Sequence, residues 1–353
     1  MRNFERNFVF SNNDSFDEYQ KLTNIAHWIY PIWSITFMII GTLSNFVSII
    51  IFFRWTKRFS IYVYFTYLCL VNILIINVDI TYHYLLPYIT DGRMFLKYVL
   101  PFTCKFLAFF TFFLRYIFIW LIVMINIDRC LYLTTAKLKL LICDPRSANI
   151  ISLIIVIFSF LVNAHFFVFL KNPIRIETSP RKTCILDGFY YYCESRNRHF
   201  ENFYKSIWPI YNVIIFALVP VFIIFICFLL IVCNIYLSRR RIFDFDRRRD
   251  SIISASKQND CVRSIGKILI YLDLLFPLTI FPVLFFQIYI NYYPPKTCLN
   301  LGIINLILSI GYSMSFIKNT FAFLIFYFTG GKFRRAFSNL IHHQNSYIGS
   351  STR

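Results

Sequence analysis

Apolar residues are gathered into long blocks that are separated by short polar and basic stretches. About 20 helical residues cross the hydrocarbon layer of a bilayer, and seven blocks reach that length. The pattern predicts one membrane domain over 29–330, preceded by a tail at 1–28 and followed by a segment at 331–353. The seven predicted spans are 29–53, 61–88, 101–127, 148–170, 207–237, 265–290 and 299–328.

The last segment has a helical pattern of its own. Phe333, Phe337 and Leu340 fall on one face of a helix, and Lys332, Arg334 and Arg335 lie beside them. This pattern predicts an amphipathic helix on the inner leaflet. The predicted fold class is therefore an all-α membrane protein, a seven-transmembrane helix bundle with a short amphipathic eighth helix.

Composition excludes an ordinary soluble domain, since 58% of the residues are hydrophobic and only 15% are charged. The net charge of +19 would suggest a nucleic-acid partner in a soluble protein, but here the basic residues lie in loops and set topology. No nucleic-acid partner is expected. The sequence has no His-Glu-x-x-His pair, no phosphate-binding glycine loop and no serine elbow, so we expect neither an enzyme nor a metal or cofactor site.

Basic residues also predict the orientation. They are concentrated at 54–58, 239–249 and 332–335, whereas the N-terminal tail is slightly acidic. The positive-inside rule then places the N-terminus outside the cell and the C-terminus in the cytosol, as expected for a plasma-membrane protein. The loop at 171–205 is also basic, but long loops weigh little in this rule. Asn13-Asp14-Ser15 is a glycosylation acceptor on the predicted outer side.

The third apolar segment carries chemistry at both ends. Arg129 follows Cys104 by 25 residues, which as a helix is roughly 38 Å, enough to cross a bilayer. A cysteine at one face and an Asp-Arg pair at the other suit the outer and inner interfaces. A guanidinium at the boundary is costly unless it is paired, so we expect Asp128 to hold Arg129.

Several motifs occur in a fixed order along the predicted spans. They are Gly41-x-x-x-Asn45, Asn72, Asp128-Arg129-Cys130, Pro220, the pair Phe276 and Pro282, and Asn319-Thr320-x-x-Phe323-Leu324-x-x-Tyr327. Their order and spacing resemble the rhodopsin-like (class A) G-protein-coupled receptors, and most of all their invertebrate neuropeptide-receptor branch. The resemblance implies a receptor that binds an extracellular ligand and activates a heterotrimeric G protein. It also implies that Asp128, Arg129, Tyr327, Pro220, Pro282 and Phe276 form the coupling and switch elements.

The chain also departs from the family pattern. Asn77 is assigned to the position of the family's sodium-binding aspartate, and Phe118 and Phe323 add apolar bulk to the same predicted pocket. Leu324 replaces a proline, and Ile280 stands where a tryptophan is expected. We therefore expect no allosteric sodium site and a switch that uses other packing.

Four charges lie within predicted helices, and such charges are functional candidates by default. They are Asp79, Arg115, Asp273 and Lys318. Arg115 lies about three turns below the outer end of its helix, where it either contacts a ligand or neutralises Asp79. Lys318 is one residue away from the retinal-binding position of opsins, which disfavours a photoreceptor. The candidate ligand-pocket residues are Arg115, Thr111 and Gln287.

Four cysteines are predicted on the outer side, and four cysteines allow three pairings that the sequence does not decide. We prefer Cys104–Cys184, in keeping with the resemblance. Cys193 and Cys298 remain for a second bridge.

The class of ligand has alternatives. The outer loop 171–205 is rich in Tyr, Phe and Arg and suits a peptide, so a neuropeptide is preferred over a chemosensory, odorant-type ligand. Two non-receptor alternatives are a transporter, which the lack of internal repeats disfavours, and a seven-helix odorant channel. The channel requires a cytosolic N-terminus, against the charge asymmetry.

Overall fold

The computed structural model describes residues 13–81, 100–134, 143–173, 193–195, 197–245, 266, 268–282, 285, 289, 293 and 297–350. Within these ranges the chain forms six helices that are long and apolar enough to cross a membrane, and a shorter apolar helix at the place of the sixth. The predicted all-α seven-helix bundle is confirmed. The first to eighth helices are Asn13–Phe53, Ser60–Ile80, Leu100–Thr134, Pro145–Asn163, Val219–Phe245, Ile268–Pro282, Cys298–Thr329 and Gly331–Ser350.

The first helix begins earlier than the sequence predicted, because residues 13–28 are helical and do not form an irregular tail. The helix has 41 residues and is about 60 Å long at 1.5 Å per residue, twice the hydrocarbon thickness. Its added turns pack against the start of the seventh helix, where Tyr19 forms a buried cluster with Cys298 and Leu301. This apolar contact explains why the tail is helical.

The fourth helix begins at a strong capping site. The Asp144 carboxylate accepts hydrogen bonds from the backbone N–H groups of Arg146 and Ser147 at 3.1 and 3.0 Å, and Pro145 occupies the first helical position. A hydrogen bond from the Ser147 side chain, together with these backbone donors, lowers the pKa of Asp144 below its usual value. The exposed face of this helix carries large apolar residues such as Ile154, Ile157 and Leu161, as expected of a surface that faces lipid.

After the fourth helix come one short helix, His165–Phe169, and the strand β1, Leu170–Pro173. Strand β1 pairs antiparallel with β2, Cys193–Ser195, with Leu170 opposite Ser195. The sequence analysis did not predict these two strands. They bring two parts of the outer loop together at the end of the helical bundle.

The chain enters the fifth helix through two wide π turns, Phe203–Ile207 and Ile214–Leu218. Pro209 and Pro220 follow them. A proline ring clashes with the carbonyl four residues earlier and lacks an N–H, and those carbonyls, of Lys205 and Phe216, lie inside the two π turns. A π turn widens the helix and accommodates the clash. The helix therefore accommodates Pro220 by widening the turn that precedes it.

The eighth helix is confirmed and extends to Ser350, beyond the predicted 332–341. Phe333 is buried against Phe52 and Phe326, with ring centroids 5.2 and 5.8 Å apart. Its apolar face is therefore anchored on the first and seventh helices.

Candidate functional site

At the inner end of the third helix, Arg129 is held by Asp128. The guanidinium Nη2 lies 2.6 Å from Asp128 Oδ2, and Nε donates to the same oxygen at 3.0 Å. Both side chains are buried, at 9% and 2% exposure. Burial of an ion pair is tolerated only when its remaining polar atoms are also satisfied.

Ser60, the first residue of the second helix, forms hydrogen bonds with these remaining polar atoms. Its hydroxyl donates to Asp128 Oδ1 at 2.7 Å, and Arg129 Nη2 approaches the same hydroxyl at 3.5 Å. The guanidinium also lies over the Tyr132 ring, 4.8 Å from its centroid. We call Ser60, Asp128 and Arg129 the inner charged cluster. Sequence analysis missed Ser60, which carries no signal apart from its place at a helix start.

One turn further from the cytosol, the third and sixth helices are joined by a polar contact. The Asn126 amide donates to Asp273 Oδ1 at 2.8 Å, and both residues are buried. The carbonyl oxygen of the Asn126 side chain is buried and has no hydrogen-bond partner among the described residues. Asp273 had been noted only as a charge within a helix, and its partner was not predicted.

Three asparagines join the first, second and seventh helices near the middle of the bundle. Asn72 donates to Asn45 Oδ1 at 3.1 Å, Asn319 donates to Asn72 Oδ1 at 2.8 Å, and Asn45 donates to the backbone oxygen of Asn319 at 2.8 Å. All three are buried. Gly41 permits this approach, because a Cβ there would lie 2.6 Å from Ile76 Cδ1.

This arrangement corrects the assignment of Asn77. Five residues separate Asn72 from Asn77, which is about 140° around a helix, so the two cannot face the same way. Asn77 donates to Thr42 Oγ1 at 2.9 Å, on the first helix. Asn72 is thus the second-helix residue that faces the polar centre.

Phe323 does not join Asn77 or Phe118 either. Its ring packs against Phe333 and Phe337 of the eighth helix, with centroids 5.5 and 5.3 Å apart. The pocket that the sequence analysis assembled from Asn77, Phe118 and Phe323 is therefore wrong as a set. The inward residue is still an amide and not a carboxylate.

In the outer half of the bundle, Arg115 forms a salt bridge with Asp79 across the third and second helices. Nη2 and Nε lie 2.9 and 3.2 Å from Asp79 Oδ2, and Thr111 donates to Oδ1 at 3.1 Å. Asp79 is 1% exposed, whereas one third of the Arg115 side chain, 33%, is exposed. Of the two predicted alternatives, neutralisation of Asp79 is observed. Thr111 is buried and holds the carboxylate.

Lys318 of the seventh helix lies below this pair. Its ammonium is 5.3 Å from the ring centroid of Phe118 and 5.8 Å from that of Phe276. Phe118 follows Arg115 by three residues, hence on the same side of the third helix and about one turn deeper. Phe276, predicted as a switch residue, is 2% exposed and lies at this level of the core.

Tyr327, which the resemblance places among the switch elements, lies in an aromatic environment. Its ring packs against Phe323 and Phe337, with centroids 6.1 and 5.7 Å apart, and its hydroxyl has no hydrogen bond to any described residue. Phe323 and Phe337 thus place aromatic rings against the tyrosine. Pro282 ends the continuously described part of the sixth helix.

Other predicted site residues lie outside the described part of the chain. They are Cys184, Gln287 and the side chains of Cys104, Cys193 and Asn13. The preferred Cys104–Cys184 bridge therefore stays a prediction. Cys298 is disulfide-bonded, while Cys69, Cys130, Cys143, Cys227 and Cys233 form no disulfide within the described part of the chain.

Among the described residues, no group of three or more His, Cys, Asp or Glu side chains forms a metal-binding cluster. The charged groups instead form paired contacts between helices: an inner charged cluster, a third-to-sixth helix link and an outer salt bridge. Such an arrangement can hold helices together and can be broken by a ligand or partner that competes for one member.

Comparison with known families agrees with the fold. The model of the 7 transmembrane receptor (rhodopsin family) matches residues 44–321, well over half of the chain. The chain belongs to the rhodopsin family of G-protein-coupled receptors and is a multi-pass membrane receptor. No curated protein matches the sequence.

Proposed function

We propose that this receptor lies in the plasma membrane with its N-terminus outside, binds an extracellular ligand and activates a heterotrimeric G protein through the inner end of the third helix. The observation that carries the proposal is the inner charged cluster. Arg129 is buried, and Asp128 and Ser60 satisfy it at hydrogen-bond distances. Its charge is thereby withheld from the cytosolic face.

A two-state switch follows from this geometry. If the inner end of the sixth helix moves outward, Arg129 can exchange Asp128 for acceptors on a G protein, and a ligand that favours this state shifts the population. The Asn126–Asp273 hydrogen bond opposes the movement, because it ties the sixth helix to the third.

For the ligand we propose a neuropeptide, with a small chemosensory molecule as the second candidate. The support is the outer loop, in which β1 and β2 pair at the end of the bundle and whose sequence over 171–205 is rich in Tyr, Phe and Arg. Aromatic side chains are enriched at peptide-binding surfaces. An amine is less well suited, because Arg115, which is one third exposed within the third helix, would repel it.

The test is signalling by the whole receptor in cells. A library of neuropeptides, each as amide and as free acid, is applied with calcium and cAMP readouts beside an odorant panel. We expect a response from peptides that is lost in Arg129→Ala with surface level kept. Arg146→Ala, an exposed arginine at the start of the fourth helix, is the matched control and should respond normally. Equal signalling by Arg129→Ala and wild type would contradict the coupling role.

A further inference from the structure

Among the described residues in the middle of the bundle, two basic side chains, Arg115 and Lys318, lie near one carboxylate, that of Asp79. The Asp79 carboxylate is already occupied: Oδ2 accepts from Nε and Nη2 of Arg115, and Oδ1 accepts from Thr111. The Asp79 side chain is only 1% exposed, so its carboxylate is not accessible to a further partner.

Lys318 is thus left without a carboxylate of its own. Within the part of the chain that the structure describes, its ammonium contacts the ring faces of Phe118 and Phe276 and forms no hydrogen bond or ion pair. Aromatic faces attract an ammonium but replace its hydration only in part. Arg115, a second cation, acts on the same ammonium and repels it. A charge held within a membrane bundle in this way needs an anion.

Arg115 is accessible although it lies about three turns into its helix, since one third of its side chain is exposed. Phe118, over which the lysine lies, follows Arg115 by three residues and is therefore about one turn deeper on the same side of the third helix. Lys318 thus approaches the side of the third helix that carries Arg115, with the rings of Phe118 and Phe276 beside its ammonium.

We propose that the ligand of this receptor carries an acidic group, a carboxylate, that binds between Arg115 and Lys318. Its oxygens accept hydrogen bonds from the guanidinium and the ammonium, and its apolar part lies against the two phenylalanine rings. The inference rests on the proposed receptor function and makes it more specific: a peptide ligand would present a free C-terminus or an acidic side chain, and an amine would be repelled.

The experiment uses the purified full-length receptor in lipid nanodiscs and three probes of equal shape: hexanoate, hexanamide and hexylammonium. Thermal unfolding is followed at matched ionic strength. We expect hexanoate at millimolar concentration to raise the unfolding temperature by several degrees, through preferential binding to the folded state. Hexanamide and hexylammonium should leave it unchanged. Equal effects of hexanoate and hexanamide, or none from either, would overturn the proposal.

Variants then locate the site. Lys318→Gln should abolish the hexanoate shift, Lys318→Arg should keep it, and Lys332→Gln, a lysine of the eighth helix, is the matched control and should behave as wild type. Asp79→Asn removes the competing carboxylate and should increase the hexanoate shift several-fold, which a purely structural lysine would not cause. If Lys318→Gln does not fold, the proposal is tested by Asp79→Asn and Lys318→Arg instead. A hexanoate shift in Asp79→Asn equal to that of the wild type would then overturn the proposal.

The same nanodiscs are tested for basal nucleotide exchange on a G protein, with Arg129→Ala as the negative control. Exchange that depends on Arg129 but no hexanoate shift would overturn the acidic-ligand inference and leave the receptor function standing. A hexanoate shift without such exchange would keep the anion site and contradict the proposed coupling.

Discussion

Asn126 of the third helix donates a 2.8 Å hydrogen bond to Asp273 of the sixth, and both side chains are buried. Asp273 is the sole acidic residue in 266–290 of the sequence, so the sixth helix has no other carboxylate there with which to hold the third. Because the bond joins the third helix to the sixth, it opposes the separation of these helices that the proposed switch requires, and it is suited to keep the receptor in its resting state.

Breaking that bond should raise basal signalling. We expect Asp273→Leu to lose it, and a loss of about 1–2 kcal/mol changes a two-state population by roughly five- to thirtyfold. Asp273→Asn can still accept the bond and should signal near the wild-type level. Leu274→Ala, on the exposed face of the same helix, is the control. The measurement is basal cAMP and calcium at equal surface expression. If Asp273→Leu has the basal activity of the wild type, the hydrogen bond does not hold the resting state.

Ser60→Ala tests the inner charged cluster. The substitution removes the 2.7 Å hydrogen bond to Asp128 Oδ1 and leaves a buried carboxylate oxygen without its donor, at a cost of about 1–3 kcal/mol. We expect lower thermal stability and higher basal activity, since Arg129 is held less firmly. Ser152→Ala, a buried serine that bonds within its own helix, should change stability less and basal activity not at all. If Ser152→Ala lowered stability and raised basal activity more than Ser60→Ala, the proposed role of the inner charged cluster would be contradicted.

The Asp79–Arg115 salt bridge should show strong coupling in a double-mutant cycle. Arg115→Gln alone leaves the buried Asp79 carboxylate unpaired, and breaking a buried pair this way costs about 3–5 kcal/mol. Asp79→Asn alone should cost less, because the Arg115 side chain that remains is one third exposed. The double variant removes both charges and should recover most of the surface expression and thermal stability. Additive losses in the double variant would mean that the two side chains do not depend on each other. Agonist potency of the recovered double variant separately measures ligand contact by Arg115.

Sodium should not act as an allosteric inhibitor. Asn45, Asn72 and Asn319 satisfy one another by hydrogen bonds, and a hard cation prefers charged oxygen ligands over such amides. The Lys318 ammonium over Phe118 adds a positive charge to the same level of the bundle. Receptor stability and agonist affinity should be equal in sodium and in N-methylglucamine at matched ionic strength. A several-fold loss of affinity specific to sodium would refute this.

The Cys104–Cys184 bridge is expected to support surface expression, since a bond from a helix end to a long loop stabilises by about 2–4 kcal/mol. Mass spectrometry of non-reduced peptides measures it directly, and a free thiol at Cys104 in the folded receptor would contradict it. The same spectrum identifies the partner of Cys298, which is disulfide-bonded.

The sequence by itself determined the helices, because a membrane requires about 20 apolar residues per span and satisfies the backbone only in helices or closed barrels. It also determined that Asp128 would hold Arg129, since adjacent opposite charges at a helix end need no tertiary information to meet. The helical start at Asn13 escaped prediction, because polar residues there are helical only through the contact of Tyr19 with Cys298 and Leu301.

The tertiary structure alone decided which distant residues meet. Arg115 had two candidate partners in the sequence, and the packing of the second helix against the third selected Asp79. The same packing brought Ser60 to Asp128, while Asp273 met Asn126 through the approach of the sixth helix. Asn72 and Asn77 are equal in chemistry, and only the rotation of their helix placed Asn72 inward. Hydrogen bonds and ion pairs depend on distances of about 3 Å, and such distances between helices follow from packing and not from spacing along the chain.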